Sequence, residues 1–432
     1  MFDVVIIGAG ISGLTAARDL SAAGQKVAVL EARSRVGGRI YTHHDPEGRL
    51  PIELGAEFIH GRPRQLLEII KEAKLEIEEV PQRHWYFANG HLAKSGEFWS
   101  MIDDLMGRMR KETSDQSFRE FLDSLPGEVS AQAKQMATRY VEGFHAASSA
   151  QIGIHGVSVA NKAAESIDGD RSFRLLEGYY SVINWLLEKA ESHGTLFKLN
   201  TVVNELRWKQ GMVEIVAAHE HWSASKVLIT IPLSLLQAES IRFWPSLPEE
   251  KLTAISKLMM GSALRIVFRF SDRFWEDLKL EEKNGVENFS KLGFVHYPEA
   301  PLQTWWTTLP EHEPILVGWV GGQAAAELLH RSDEEISDAA LKSLSLIFRL
   351  SESELGDKLK STFFHNWETD PLARGAYAYL PVNGIAYQQA LAQPVAETLF
   401  FAGEATCMGH IGTVHGALMS GKSAAQTILA TI

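Results

Sequence analysis

Cysteine is almost absent from this 432-residue chain, in which Cys407 is the only one. A single cysteine excludes an internal disulfide and a metal site built from several cysteines. It suits a reducing compartment, so we expect a cytoplasmic protein. Long apolar runs are also missing, and no basic segment with an apolar stretch precedes the first strand pattern near residue 3. We therefore expect no signal peptide and no membrane partner.

Positive charge is scarce as well: 42 lysines and arginines face 54 aspartates and glutamates, for a formal net charge of −12. This balance argues against a surface that follows nucleic-acid phosphates or anionic lipids. A cationic small substrate is compatible with it, although solubility alone also explains an acidic chain. The 45% hydrophobic content indicates a globular protein, and the length favours two or three domains.

A dinucleotide-binding pattern opens the chain. A β-branched run at 3–7 leads into Gly8, Gly10 and Gly13, and a second apolar run ends at Glu31. The first glycine permits a tight turn, the second lets the backbone approach a pyrophosphate, and the third lets the next helix pack closely. The helix start offers unpaired N–H groups to phosphates, and Glu31 can accept hydrogen bonds from a ribose.

A second segment rich in glycine and arginine follows directly, with the sequence ARSRVGGR at 32–39. Guanidinium groups and close backbone approach can hold more of the pyrophosphate, which indicates FAD rather than NAD. The run ELGAEFIHG at 53–61 supplies another tight turn.

Hydrophobic periodicity predicts helices at 118–125, 131–144, 178–190, 333–350 and 413–432, and strands within 196–231 and at 264–270, 315–320 and 400–404. The fold class that we predict is α/β, with a Rossmann-like FAD-binding domain interleaved with an α+β substrate domain. We assign 1–75, 196–255 and 365–432 to the FAD-binding domain, and 76–195 and 256–364 to the substrate-binding domain.

Five segments together resemble the flavin-containing amine oxidase superfamily, which includes monoamine oxidases, polyamine oxidases, L-amino acid oxidases and flavin histone demethylases. They are the N-terminal glycine pattern, EARSRVGGR at 31–39, LGAEFIHG at 54–61, NW at 366–367 with DPLARGAY at 370–377, and FAGEAT at 401–406 leading to TVHGAL at 413–418. The IHG and TVHGAL ends are most similar to the polyamine oxidase and demethylase branch. The resemblance implies the two-domain architecture of amine oxidases and p-hydroxybenzoate hydroxylase, with FAD as the cofactor.

Position by position, the resemblance also implies a set of FAD contacts. They are Gly8, Gly10, Ser12 and Gly13 at the pyrophosphate; Glu31 at the adenosine ribose; Ala32, Arg33, Gly38 and Arg39 beside them; Gly55, Ala56, Glu57, Phe58 and Trp367 along the flavin; Val203 near the adenine; Gly403 and Glu404 at the ribityl chain; and the N–H groups of Thr413 and Val414 at the flavin pyrimidine.

The sequence departs from the family pattern at several positions. Monoamine oxidases carry the cysteine that binds flavin covalently where this chain has Ala376, so we expect non-covalent FAD and a passive Cys407. Tyr377 matches one wall of the aromatic pair that guides the amine, whereas the second wall is Thr413. An alternative is that Tyr377 is an ordinary packed residue.

Arg265 stands where many family oxidases have a lysine that holds a water against flavin N5. Strand alternation places Arg265, Val267 and Arg269 on one face and apolar residues on the other. Arginine has a wider fork and a fixed charge. It could lower the reactivity towards O2, grip a substrate carboxylate, or form a structural ion pair with a buried acid.

Several other side chains are candidates for the substrate site. His60 could face the substrate and tune amine protonation near neutral pH, or be a structural histidine. One or two of the aromatic residues Trp85, Tyr86, Tyr179, Tyr180, Trp305, Trp306 and Trp319 could reach the substrate. The pairs His43-His44 and His219/His221 fit surface positions better than a metal site.

The function that we predict is oxidation of the C–N bond of a primary, secondary or polyamine by hydride transfer to flavin N5, imine hydrolysis and reoxidation by O2. The proposed catalytic residues are Arg265, Tyr377, His60 and Thr413. Two alternatives stay open: a desaturase-like flavoenzyme that acts on C–C bonds, and a flavoprotein scaffold with little turnover. The sequence leaves the amine and the oligomeric state undetermined.

Overall fold

The computed structural model describes residues 1–88, 91–94, 96–109, 114–125, 129–217, 220–282 and 285–432, with side chains described for these residues except 88–98 and 279–288. In chain order the strands are β1 Phe2–Ile7, β2 Val27–Leu30, β3 Thr42–His43, β4 Ile52–Glu53, β5 Phe58–His60, β6 Ile77–Glu79, β7 His84–Ala88, β8 His91–Lys94, β9 Ser172–Leu175, β10 Leu196–Lys198, β11 Val203–Lys209, β12 Met212–Ala217, β13 Glu220–Ile229, β14 Arg242–Trp244, β15 Met259–Met260, β16 Ala263–Phe270, β17 Lys279–Glu282, β18 Gly285–Asn288, β19 Phe294–His296, β20 Thr304–Thr307, β21 Ile315–Gly321, β22 Leu359–Phe364, β23 Ala378–Tyr379 and β24 Leu399–Phe401. The helices are α1 Ile11–Ala22, α2 Arg64–Ala73, α3 Gly96–Met109, α4 Phe118–Ser124, α5 Ala131–His145, α6 Ile154–Glu165, α7 Tyr180–Ser192, α8 Leu233–Gln237, α9 Glu249–Lys257, α10 Gln323–Leu329, α11 Asp333–Phe348, α12 Glu352–Lys358, α13 Gly384–Ala392 and α14 Val414–Leu429.

The first large sheet is built around β1. Its strand order is β10-β2-β1-β13-β12-β11-β14, and β24 pairs with β13. Strands β10, β2, β1, β13 and β24 are mutually parallel, whereas β11, β12 and β13 form an antiparallel meander. Val4 and Ile6 contribute to the core under α1, α7 and α14, while Val5 and Ile7 pack against the meander side. Burial on both faces explains why β1 is continuously apolar from Val4 to Ile7.

The second large sheet has the strand order β22-β16-β21-β20-β19-β7-β8. Strand β16, which lies between β22 and β21, is buried along its whole length. Leu264, Ile266 and Phe268 face one apolar cluster with α10 and α11, whereas Val267 packs in a separate cluster on the other face. The two-residue alternation that the sequence predicts for this strand is therefore confirmed.

The predicted helices and strands are observed with ends that shift by a few residues. The helix expected at 333–350 is Asp333–Phe348, and the one expected at 413–432 is Val414–Leu429. Strands of the first sheet come from both ends and the middle of the chain, which is the interleaved α/β architecture expected from the sequence. The exact domain boundaries remain a prediction.

Candidate active site

A cavity of ≈ 1380 Å³ extends from the glycine-rich turn after β1 to the far end of the second sheet. Its lining includes Gly10, Glu31 and Gly403 at one end, and Tyr86 and His296 at the other. The cavity therefore spans both a dinucleotide-sized groove and an adjoining substrate space.

The glycine-rich turn has the shape that a pyrophosphate requires. Gly8 adopts φ +101°, and a Cβ on Gly13 would lie 2.1 Å from the carbonyl oxygen of Gly8. By contrast, a Cβ on Gly10 or Gly403 would meet no atom within 4 Å, so both glycines face open space in the cavity. The buried hydroxyl of Ser12 has no partner among the described residues. Open glycine faces, an unpartnered hydroxyl and the start of α1 fit a bound phosphate group.

Glu31 ties this turn to the segment that follows β2. Its carboxylate accepts hydrogen bonds from the backbone N–H of Ala9 at 2.7 Å and of Arg33 at 2.8 Å. Since a carboxylate has about four acceptor sites, two remain for ribose hydroxyls. Ala32, Arg33 and Gly38 also line the cavity, and the Arg33 guanidinium bonds Asp370 at 2.9 Å.

Glu404 lines the cavity, and its contact with the ribityl chain stays a prediction. Its carboxylate accepts hydrogen bonds from Arg39 at 2.8 Å, from the N–H of Ala378 at 3.2 Å and from the N–H of Gly412 at 3.1 Å. Arg39 also donates to the carbonyl of Ala376 at 2.8 Å. Both side chains line the cavity, but their polar atoms mainly join segments distant in the chain.

The remaining predicted cofactor residues border the same cavity. Val203, Gly55, Ala56 and Trp367 all line it. The Trp367 indole donates to the carbonyl of Leu54 at 2.9 Å, which fixes the ring beside Gly55.

The start of α14 also lies at the cavity. Thr413 is the N-cap residue: its hydroxyl accepts from the N–H of Gly416 at 3.0 Å and donates to the carbonyl of His410 at 2.8 Å. Because the first N–H groups of a helix lack partners within it, Thr413 and Val414 are placed to offer donors to a bound group. The Thr413 side chain acts as a cap rather than as a second wall of a cage.

Glu57 and Arg265 form the most highly charged part of the cavity. The Arg265 guanidinium donates to Glu57 at 2.6 Å, and Arg174 donates to the same carboxylate at 2.8 and 2.9 Å. The indole of Trp306 adds a bond at 3.1 Å. The Glu57 carboxylate therefore contacts two arginines, and its predicted place along the flavin stays a prediction. Arg265 adopts the ion pair that the sequence leaves as one of three alternatives.

The three side chains together carry a net positive charge, because two guanidinium groups share one carboxylate. The buried Glu53 lies within electrostatic range of Arg265 and Glu57, and burial raises its pKa to about 7, so it adds part of a negative charge at neutral pH. Nε and Nη1 of Arg265 have no partner among the described residues. Burial alone would raise the pKa of Glu57, but Arg265 and Arg174 outweigh the burial and lower it. Sequence reasoning missed Arg174; the available signal was a charged residue between Phe173 and Leu175 in an apolar strand.

Tyr377 forms a fixed part of the cavity lining. Its hydroxyl donates to the carbonyl of Phe144 at 2.9 Å, and its ring packs against Gly412. Ala376, next to it, offers no nucleophile for covalent attachment. Burial raises the pKa of the Cys407 thiol to about 11, which fits a passive side chain.

His60 lies in the cavity but does not titrate near neutral pH. Burial lowers its pKa to about 4, so the ring is neutral at pH 7. Its Nδ1 lies 3.4 Å from the Ser172 hydroxyl, and its ring makes edge-to-face contacts with Phe58 and Phe144. The expected tuning of amine protonation by a charge change on His60 is therefore not supported.

Tyr179 and Tyr180 lie at the start of α7 in the core of the first sheet and do not line the cavity. The other aromatic candidates divide between the two faces of the second sheet. Tyr86, Trp306 and Trp319 line the cavity, whereas Trp85 and Trp305 pack in the core on the opposite face. Sequence reasoning missed His84 and His296, which also line the cavity. No local motif marks them, because only strand pairing brings them together.

Metal-binding and membrane-spanning features are not found in the described ranges. They hold no cluster of histidine, cysteine or carboxylate side chains able to bind a metal. His221 pairs with Glu214 at 3.0 Å, and His219 lies outside the described residues. None of the helices described is both long and apolar enough to cross a bilayer.

The nucleotide groove and the adjoining aromatic space together define an oxidoreductase of the FAD-binding class. The chain belongs to the family described as flavin containing amine oxidoreductase, whose model matches residues 11–429. It is a flavin amine oxidoreductase, and its cofactor is FAD.

The chain is similar both to histone demethylases and to polyamine oxidases. A lysine-specific histone demethylase 1 homolog of Arabidopsis thaliana is 28% identical over 448 residues, which cover 99% of this chain but 58% of that protein. Probable polyamine oxidase 4 of the same plant is 28% identical over 455 residues, which cover 98% of this chain and 86% of the relative. The structure of wild-type putrescine oxidase bound to putrescine shares the fold, with a TM-score of 0.83, 21% identity and 99% coverage of both chains.

Proposed function

We propose that the protein oxidises a small amine at the carbon next to its nitrogen. Bound FAD would accept a hydride at N5 and be reoxidised by O2 with release of H2O2. The amine loses that hydride to become an iminium ion, which water hydrolyses to a carbonyl compound and ammonia or a smaller amine. The observation that carries the proposal is the continuous cavity, which joins the nucleotide groove to an adjoining aromatic space.

Hydride loss requires an amine with an available lone pair, so the site must favour the neutral form. The cluster of Arg265, Glu57 and Arg174 has a net positive charge and is buried. A positive charge nearby lowers the pKa of an ammonium group. His60, neutral at pH 7, adds no charge that would oppose this effect.

The side chains that line the cavity position the amine and exclude water from it. The Tyr377 ring is held by the Phe144 carbonyl and by contact with Gly412. Trp319, on the neighbouring sheet, donates to the carbonyl of Gly143 at 3.0 Å, which closes the space between β21 and α5. Fixed walls hold a reacting carbon in one orientation.

The test is anaerobic mixing of the purified FAD-loaded protein with monoamines, polyamines and amino acids while flavin absorbance is followed. We expect bleaching by at least one class of amine, and renewed colour with H2O2 when O2 is admitted. If no amine bleaches the flavin although dithionite does, the proposal is wrong and a C–C substrate or a scaffold role is favoured.

A further inference from the structure

The second sheet turns one face towards the cavity, and strand register defines which residues share it. Arg265 on β16 pairs with Trp319, Trp319 with Thr304, Thr304 with His296, and His296 with Tyr86. Directly paired residues point to the same face of a sheet. All five line the cavity. With strands about 4.8 Å apart, the row extends about 19 Å from Arg265 to Tyr86.

A second row lies beside the first, two residues along each strand. It includes Trp306, Phe294 and His84, in which Phe294 pairs with both of the others. We call Thr304, His296, Tyr86, Phe294 and His84 the distal wall, since they lie at the end of the sheet away from Arg265.

All ring nitrogens of the two histidines of the distal wall have partners, either in the wall or in the neighbouring Gln82. His84 Nδ1 lies 2.9 Å from His296 Nε2, His84 Nε2 lies 2.9 Å from Gln82 Oε1, and His296 Nδ1 lies 3.2 Å from the Thr304 hydroxyl. One proton assignment satisfies every contact: Thr304 donates to His296, His296 donates to His84, and His84 donates to Gln82. Each ring then carries one proton and is neutral.

Burial supports the same conclusion. It lowers the pKa of His84 to about 4 and that of His296 well below its usual range. The imidazoles stack on aromatic neighbours: His84 on Phe294 at 4.6 Å and His296 on Tyr86 at 4.9 Å between ring centroids. The ring of Trp99 on α3 lies 5.3 Å from that of His84. Trp99 and the rings of the distal wall form what we call the aromatic box. The far end of the cavity is therefore an uncharged aromatic box.

Among the described residues, the carboxylate beside this box is Asp103, one turn after Trp99 on α3, which lines the cavity near Tyr140 and is exposed to solvent. An exposed carboxylate stays hydrated and gains little from pairing with an ammonium group. Of the carboxylates lining the cavity in the described part of the chain, Glu31, Glu57 and Glu404 are bonded to backbone N–H groups or arginines. The others, Asp103, Glu165, Asp168 and Asp170, are exposed to solvent. The positive cluster at Arg265 also disfavours a second cation in the same space.

We infer that the distal wall is a subsite for an uncharged apolar ring, so that the substrate is an amine carrying an aryl or cycloalkyl group rather than a second ammonium group. The inference rests on the proposed amine oxidation and names the substrate class for it. The amine lies beside the nucleotide groove near the Arg265 guanidinium, whose carbon is 5.9 Å from the Trp306 ring. The ring of the substrate lies against Phe294, 5.9 Å beyond Trp306, on the side of the box nearest to Arg265.

The test uses two amines with the same four-carbon chain, 4-phenylbutylamine and putrescine. We expect kcat/KM for flavin reduction to be at least about a hundredfold higher for the phenyl compound, because an unpaired ammonium is costly to bury. Values for putrescine within tenfold of those for 4-phenylbutylamine, or above them, would overturn the subsite and would indicate that the rings hold a cation.

A matched pair of variants locates the effect. Phe294→Leu removes a ring from the distal wall, and we expect the ratio of kcat/KM for 4-phenylbutylamine over butylamine to fall about tenfold. Phe87→Leu removes a ring from the opposite face of the sheet, and the ratio should keep its wild-type value. An equal fall in both variants would show a general packing defect and contradict the subsite.

A binding measurement separates this inference from the proposed reaction. The neutral alcohol 4-phenylbutanol should perturb the flavin spectrum of the wild-type protein and bind more weakly to Phe294→Leu. If no amine reduces the flavin but this binding is seen, the proposed function fails and the subsite stands. Absence of binding in the wild type overturns the subsite.

Discussion

Glu57 is the residue on which the charge of the cavity depends. Arg265 and Arg174 share its buried carboxylate, so loss of this one negative charge leaves two guanidinium groups uncompensated. We expect Glu57→Gln to lower the free energy of unfolding by about 3 to 5 kcal/mol, the usual cost of breaking a buried ion pair from one side.

Urea unfolding at pH 7.5 measures this effect. The matched control is Glu68→Gln, because Glu68 pairs with the exposed Arg64 on α2 and exposed pairs contribute little to stability. Equal losses in the two variants would contradict a special role for the buried cluster.

We expect Arg265 to affect how fast the reduced flavin reacts with O2. Its guanidinium is held by Glu57 in a fixed direction, whereas a lysine would offer a compact ammonium with rotatable donors that can hold a water. We expect Arg265→Lys to speed reoxidation of the reduced protein by O2 severalfold, measured by stopped-flow absorbance. An unchanged rate would show that this position does not limit the reaction with O2.

Two glycines at the turn between β1 and α1 have different roles: Gly13 allows close packing inside the protein, and Gly10 is predicted to leave room for the cofactor. A side chain on Gly13 would collide with Gly8 inside the protein, whereas one on Gly10 would enter open cavity space. Gly13→Ala should therefore lower the stability of the FAD-free protein by about 1–3 kcal/mol. Gly10→Ala should leave that stability unchanged and weaken FAD binding by an order of magnitude or more.

Thermal unfolding of the FAD-free proteins and flavin titration measure these two quantities. A Gly10→Ala variant that binds FAD as tightly as the wild type would place the pyrophosphate elsewhere.

Local elements were predictable where the signal is contained in a short segment. The glycine turn, the alternation of β16 and the periodicity of α11 all depend on residues near one another in the chain, and the structure has them. The ion-pair partners of individual charged side chains could not be predicted in this way. Arg174 lies on β9, far in sequence from Glu57 and Arg265, and only the folded sheets bring the three together.

The distal wall shows the same limit for the substrate site. Its residues come from β7, β19 and β20, and their common face depends on a register between strands about 200 residues apart. The sequence could name the aromatic residues as candidates. It could not show that Trp306 and Trp319 line the cavity whereas Trp85 and Trp305 lie in the core.

Buried neutral histidines make the whole molecule sensitive to acid. Burial lowers the pKa to about 4 for His60, His84 and His145 and to about 3 for His415. The unfolded chain therefore binds more protons below pH 6.5 than the folded chain does. Their contribution to stability is fully present above pH 6.5 and is lost as the pH falls towards 4, by about 3 kcal/mol or less for each.

Thermal unfolding at pH 7.5, 6.0 and 5.0 measures this loss. His145→Asn should make the pH dependence less steep, whereas His193→Asn on the surface should leave it unchanged. A stability that is constant between pH 7.5 and 5.0 would show that these histidines are protonated in the folded protein or accessible to water.

Deuterium at the carbon next to the amine nitrogen shows whether the C–H bond at that carbon breaks during flavin reduction. The measurement is the anaerobic rate of flavin bleaching by 4-phenylbutylamine and by the same compound with two deuterium atoms beside the nitrogen. We expect bleaching by both, with the deuterated amine severalfold slower because the C–H bond breaks in the reduction step. No bleaching by any amine, with dithionite still reducing the flavin, would contradict the proposed amine oxidation.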